Sequence, residues 1–184
     1  MNTESKDRVI LVDKNDNETG TMEKMEAHRK ALLHRAISVF ICNTRGEWLL
    51  QRRALNKYHS SGLWTNASCS HPFPGETCRD AANRRLMEEM GLKAPLKKLF
   101  HFTYKAELDN ELTEHELDHV FLGITDDEPA INTNEVREWR YISYDKLFEE
   151  VNKTPEKYTF WFKKIYERVN RHVLDRFPEL KVKA

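Results

Sequence analysis

Three stretches of this sequence hold residue types that could do chemistry. Residues 76–90 carry Glu76, Arg84, Arg85, Glu88 and Glu89, a density of charge that on its own describes a solvated helix face as readily as a site. Glu114-His115-Glu116 sets two carboxylates two positions apart. In a strand, residues i and i+2 project from one face, so both could address a single cation. Leu63-Trp64-Thr65-Asn66-Ala67-Ser68-Cys69-Ser70-His71-Pro72 holds a thiol close to an imidazole. A free thiol has a pKa of about 8.5, so a thiolate at neutral pH needs a cation or metal beside it. His28 and His34 flank Arg29-Lys30, where each taken singly reads as a surface histidine; His115 and His119 face away from the carboxylate pair or lie too far along.

The elements that must position these groups can be read from periodicity and punctuation. Residues 8–13 (RVILVD) form a short apolar run, and residues 15–20 are turn chemistry. Residues 22–34 have helical composition without a long periodic face, which predicts a short helix or ordered loop. Residues 36–42 (AISVFIC), the turn Asn43-Thr44-Arg45-Gly46 and residues 48–53 (WLLQRR) predict a hairpin. The clearest helix spans 76–90, with Ala82, Leu86 and Met90 at four-residue spacing and Gly91 where a C-cap belongs. Further strands are expected over 99–106, 114–123 and 138–143. Trp161, Ile165, Val169 and Val173 predict an amphipathic helix over 158–177. Strands interleaved with helices point to a mixed-sheet α/β domain.

The chain of 184 residues suits one domain, and its 39% apolar and 10% aromatic content is that of a globular protein. Acidic and basic residues balance at 30 each, so no long-range field draws it to nucleic acid or an anionic membrane; any bound anion must be held by a local cluster. The start, Met1-Asn2-Thr3-Glu4-Ser5-Lys6, lacks the apolar core of a signal peptide, and no run approaches membrane-spanning length. Cys42, Cys69 and Cys78 are an odd number, expected as free thiols in a reducing cytoplasm. Cys42 reads as core. Cys78, at a helix start, is expected to be slightly more acidic than usual.

The charged helix resembles the Nudix box, G-x5-E-x7-R-E-U-x-E-E-x-G-U, where U is aliphatic. Aligned on Gly91 the box runs over 70–92, and Glu76, Arg84, Leu86, Glu88, Glu89, Gly91 and Leu92 match it. Ser70 replaces the opening Gly, and Arg85 replaces the Glu that in Nudix hydrolases helps gather the metal ions activating water. A guanidinium in place of that carboxylate reverses the local charge and disfavours ordinary hydrolysis. The segment ending Thr65-Asn66-Ala67-Ser68-Cys69-Ser70-His71-Pro72 is similar to the T-N-x-x-C-x-H-P segment of type I isopentenyl-diphosphate isomerases, relatives of the Nudix enzymes, and Glu114-His115-Glu116 to their E-x-E strand. The resemblance is strongest over 8–162 and leaves 163–184 as a C-terminal helical extension of a single domain spanning 1–184.

That resemblance implies a Nudix-like mixed β-sheet sandwiched between helices, and an isomerase of isopentenyl and dimethylallyl diphosphates. His28, His34, His71, Glu114 and Glu116 match the family's ligands to one divalent ion (Mn²⁺, Mg²⁺ or Zn²⁺), and the nitrogen-rich set favours Zn²⁺ or Mn²⁺. Lys24, Arg53 and Lys57 match its diphosphate contacts, with Arg85 as a further clamp. Glu89 matches the ligand of a Mg²⁺ that accompanies the diphosphate. The reaction adds a proton at C4 and removes one from C2 through a tertiary cation at C3, which requires an acid, a base, exclusion of water and a partner for positive charge. Cys69 and Glu116 match the proton-transferring pair. Glu116 with Tyr104 is the expected acid and the Cys69 thiolate the expected base, the reverse assignment staying open, and Trp161 matches the cation's partner. A hydrolase would not carry Arg85, and a non-catalytic binder needs no acid–base pair. The expected partner is a small diphosphate, not nucleic acid or membrane, bound by a monomer or a homodimer.

Overall fold

The computed structural model of the chain describes residues 7–108 and 111–176; residues 1–6, 109–110 and 177–184 lie outside the described residues, as does the expected helix end at Phe177. Its elements run β1 (Arg8–Val12), β2 (Glu18–Glu23), α1 (Lys24–Arg29), β3 (His34–Cys42), β4 (Trp48–Arg53), β5 (Trp64–Thr65), β6 (Ser68–Ser70), α2 (Cys78–Met90), β7 (Lys97–Glu107), β8 (Thr113–Ile124), β9 (Val136–Ile142), α3 (Tyr144–Lys153) and α4 (Phe160–Arg176), with a 3₁₀ turn at Pro155–Lys157.

The β-branched and aromatic run of β3 is the hub. Along one edge it pairs in parallel with β8 from His34↔Glu116 to Cys42↔Ile124. Its other edge is shared in turn by β1 at His34, β6 at Ile37–Val39 and β4 at Ile41 and Cys42. The expected β3–β4 hairpin is therefore paired only next to its turn, and β4 goes on to pair with β9 and β5. β7 joins β8 as an antiparallel hairpin. The sheet is mixed, as expected.

Alternation in β3 sorts the core into two layers. Ile37, Val39 and Ile41 face α2, meeting Ala81, Ala82, Leu86 and Met90, while Phe40 and Cys42 face the other way toward Phe162, Ile165 and Val169 of α4. The sheet thus lies between α2 on one side and α3 with α4 on the other. Helix α2 starts at Thr77, whose side chain accepts from the Asp80 N–H, and stops at Gly91. Gly91 has φ +66°, and a Cβ there would lie 2.6 Å from the Ala130 carbonyl oxygen, so the residue must be glycine on both counts.

Some local expectations needed correcting. The turn after β1 is over by Glu18, where the edge strand β2 begins, and the stretch expected as helix or loop divides into the end of β2, α1 and the start of β3. Helix α3 was not anticipated, although Ser143 precedes it and Leu147 and Val151 are buried at i, i+4 spacing. Among the described residues no helix is long and apolar enough to cross a membrane.

Candidate active site

His28 from α1, His34 from β3, His71 after β6 and Glu116 from β8 converge, each with a ligand atom within 4.8 Å of the others. The backbone sets the tautomers: His28 Nδ1–H donates to Lys24 O and His34 Nδ1–H to Leu32 O, each at 2.7 Å. Both Nε2 atoms are thereby left as lone-pair donors aimed inward, the usual preparation of a metal-ligating histidine. His34 Nε2 lies 3.2 Å from His71 Nε2 and 3.6 Å from Glu116 Oε1, and His71 Nε2 lies 3.0 Å from the same oxygen. Ligand atoms around an ion bound at roughly 2.1 Å stand about 3 Å apart, so these spacings fit one. His28 Nε2 is buried without a hydrogen-bond partner, which a cation would supply. Burial pushes His28 below its ordinary pKa and His71 down to about 4, keeping both rings neutral and able to ligate. Burial works to raise Glu116, but the neighbouring imidazoles of His34 and His71 hold it well below the usual carboxylate range.

Glu114 stands one step away from this cluster. Register places Tyr104 of β7 directly across from Glu116, and the Tyr104 hydroxyl lies 2.7 Å from Glu116 Oε2 and 3.0 Å from Glu114 Oε2. Glu114 Oε1 is 3.5 Å from Nε2 of His59. Burial and the charge of Glu116 push Glu114 well above its ordinary value, and burial with both carboxylates does the same to Tyr104.

These groups open into a cavity of about 870 Å³ lined by Cys69, Tyr104, Glu114, Glu116 and Trp161 at one end and by Lys24, Lys57 and Arg85 among its cations. Cys69 sits in β6 opposite Ser38, with Arg53 Nη1 3.9 Å from its sulfur. Burial pushes the thiol up and Arg53 opposes the shift, so the resting group is a thiol. Trp161, in the first turn of α4, is fixed by Nε1–H donating to Asn66 Oδ1 at 3.2 Å, and the Arg53 guanidinium lies 5.4 Å from its ring centroid. The indole face thus already meets positive charge. Also lining the cavity, Arg84 clamps Glu76 through both oxygens at 2.7 and 2.8 Å and stacks 3.8 Å over Phe73, stapling the loop that carries His71 to α2.

A family model described as the NUDIX domain matches residues 32–163. The "Isopentenyl-diphosphate Delta-isomerase" of Pectobacterium atrosepticum is 54% identical over 88% of this chain and 90% of its own length. "Isopentenyl-diphosphate Delta-isomerase 2" of Photorhabdus laumondii is 47% identical over 94% and 97%. The chain belongs to the isopentenyl-diphosphate Delta-isomerase family of Nudix-domain proteins. Among solved structures, the MutT protein of Methanosarcina mazei superposes with a TM-score of 0.64 at 20% identity, covering 76% of this chain and 94% of its own, a likeness of fold alone.

For a member of this family the expected site residues fall into place unevenly. Cys69, Tyr104, Glu114, Glu116, Trp161, His71, Lys24, Arg53, Lys57 and Arg85 line the one cavity, and His28 and His34 complete the metal cluster with His71 and Glu116. Glu89 is buried and engaged: Arg85 donates to its Oε1 and Gln51 to its Oε2 at 2.7 Å. Cys78 departs from expectation, because burial pushes its thiol up to about 11 despite the helix start. Cys42 is core, as read. Sequence reasoning missed His59, Gln51 and Glu135. Gln51 had a signal, being the one amide in an otherwise apolar and basic strand; His59 and Glu135 sit in irregular segments with none.

Proposed function

We propose that the protein interconverts isopentenyl diphosphate and dimethylallyl diphosphate, an intramolecular isomerisation in isoprenoid synthesis. The observation that carries this is one cavity joining a cluster of cations suited to a diphosphate with an acid–base pair, Cys69 and Glu116, beside an indole face. Lys24, Arg53, Lys57 and Arg85 hold the diphosphate, and the five-carbon chain lies toward Cys69, Tyr104 and Trp161. A divalent ion (Mn²⁺ or Zn²⁺ by ligand softness, or Mg²⁺) held by His28, His34, His71 and Glu116, with Glu114 as fifth ligand, would fix Glu116 in place and lower its proton affinity. Glu89, once Arg85 releases it for the diphosphate, is the residue proposed to hold Mg²⁺ arriving with that group.

Glu116 donates a proton to C4 and is resupplied through the Tyr104 hydroxyl, which bridges it to Glu114. Trp161 stabilises the C3 cation through its π-face, and the buried wall keeps out water that would trap that cation. Cys69, deprotonated beside the Arg53 guanidinium, takes the proton from C2 and becomes a thiol. A second assignment is favoured by the resting protonation, in which Cys69 carries a proton and Glu116 does not: the thiol then donates and Glu116 accepts.

The test is proton NMR of the protein with isopentenyl diphosphate and Mg²⁺ in D₂O, beside a chelated control. Growth of a dimethylallyl signal with deuterium in a methyl group, lost on chelation, supports the function; phosphate release without isomerisation refutes it. Cys69→Ala separates the two assignments. If Glu116 is the acid, the variant still washes deuterium into C4 without forming product; if Cys69 is the acid, C4 stays unlabelled.

A further inference from the structure

Glu135 is an acid among the cations of the cavity, and neither the Nudix box nor the proton-transferring pair gives it a task. Its Oε2 accepts from Lys57 Nζ and, at 3.0 Å, from Arg85 Nη2, so a single oxygen bridges two of the proposed diphosphate contacts. Lys24 faces the same place: burial chiefly lowers its affinity for a proton, and the charges of Lys57 and Arg85 add to the effect. The backbone of Glu135 is tied down, its N–H donating to Asn132 O at 2.9 Å and its carbonyl accepting from Ala54 N–H at 3.0 Å. Its side chain is 26% exposed and lines the cavity. A carboxylate oxygen that accepts from an ammonium and a guanidinium in an anion pocket makes the contacts a phosphate oxygen would make there.

We propose that Glu135 is an internal counterion of the diphosphate pocket: it takes the place of a phosphate oxygen between Lys57 and Arg85, competes with the ligand for both cations, and sets how loosely the ligand is held. This rests on the function proposed above, in which substrate and product carry the same diphosphate. Grip on that group stabilises both equally and does nothing for the chemical step, while too firm a grip delays product release. A carboxylate that re-pairs with Lys57 and Arg85 as the diphosphate leaves favours turnover over affinity.

The test is calorimetric titration of the full chain, in Mg²⁺, with inorganic pyrophosphate. Glu135→Gln and Glu135→Ala are both expected to bind it tighter, by about fivefold, the scale of a part-exposed ion pair. KM for the isoprenoid diphosphate should fall with them, and kcat should fall as release slows. Glu135→Asp, which keeps the charge, should bind as the wild type does. A merely structural role predicts weaker binding or none, never a gain. Should pyrophosphate bind the wild type but bind the Gln and Ala variants no tighter, or bind Glu135→Asp as tightly as Glu135→Gln, the counterion role is overturned alone. If the wild type takes up no pyrophosphate, the diphosphate pocket itself is refuted.

Discussion

Replacing Tyr104 with Phe removes one hydroxyl from beneath two carboxylates and leaves the ring's volume in place. Tyr104, Glu114 and Glu116 are 8%, 3% and 6% exposed, so little water reaches the place of the missing oxygen. The hydroxyl has one proton for two acceptors at 2.7 and 3.0 Å. Burial and the charge of Glu116 push Glu114 well above its ordinary value, so the two carboxylates titrate as a pair around that hydroxyl. Loss of the hydroxyl leaves a buried acceptor unpaired, a cost of roughly 1–3 kcal/mol. For a domain of this size that lowers the melting temperature by about 2–4 °C per kcal/mol. Catalysis should suffer more, because a positioned acid contributes about 10²–10⁴-fold and the variant loses the path that recharges it. The expected outcome is a folded protein whose kcat for isopentenyl diphosphate drops about 10²-fold while KM moves less than about twofold, since the Tyr104 hydroxyl bonds to the carboxylates. Stopped-time NMR turnover beside a thermal melt reads both numbers. A folded Tyr104→Phe retaining kcat within about threefold of the wild type would refute the relay.

Other outcomes follow from the same geometry. His34→Ala removes a central ligand and should weaken divalent-ion retention by at least about 100-fold, read by metal analysis after dialysis; undiminished binding would move the site elsewhere. Gly91→Ala must adopt φ +66° and press a Cβ against Ala130, so a urea melt should show a loss of at least about 1–3 kcal/mol. His119, against Asp16 at 3.0 Å, is pushed down to about 4, chiefly by burial. A lowered histidine contributes stability that is whole above the unfolded value of about 6.5 and is lost as pH falls through the folded one. His119→Gln should therefore flatten the acid arm of the stability curve between about pH 6.5 and 4, by on the order of 2 kcal/mol, and parallel curves for variant and wild type would show that His119 titrates normally.

The Nudix-box helix was legible because three independent signals agree there: the charge pattern, the Ala82–Leu86–Met90 spacing and the Gly91 stop. Helix α4 was legible from one apolar stripe, and the sheet from β-branched runs. The strands β5 and β6 were not, being two and three residues long, too short for a period to show. The edge strand β2 buries no face completely, so its sequence has no alternation to reveal. Period two put Glu114 and Glu116 on one face, and they are; but neighbours on a face stand about 7 Å apart along the strand, too far for both to reach one point without leaning. Which one meets His34 and His71 and which one meets His59 is decided by register against β3 and β7, a tertiary fact. Glu89 and Arg85 were both read as ligand contacts, while their i, i+4 spacing on one helix also makes them each other's natural partner.

The parallel pairing of β3 with β8 bears on how such a chain acquires its metal. His34 lies beside Glu116 across that pairing, although they are far apart in sequence. A nascent chain that has emerged as far as α2 already displays all three histidines, yet it lacks the carboxylate and the strand that would lock their directions. The set is therefore complete only once β3 and β8 have paired, so a chain ending before β8 would offer an ion three imidazoles without the carboxylate that joins them.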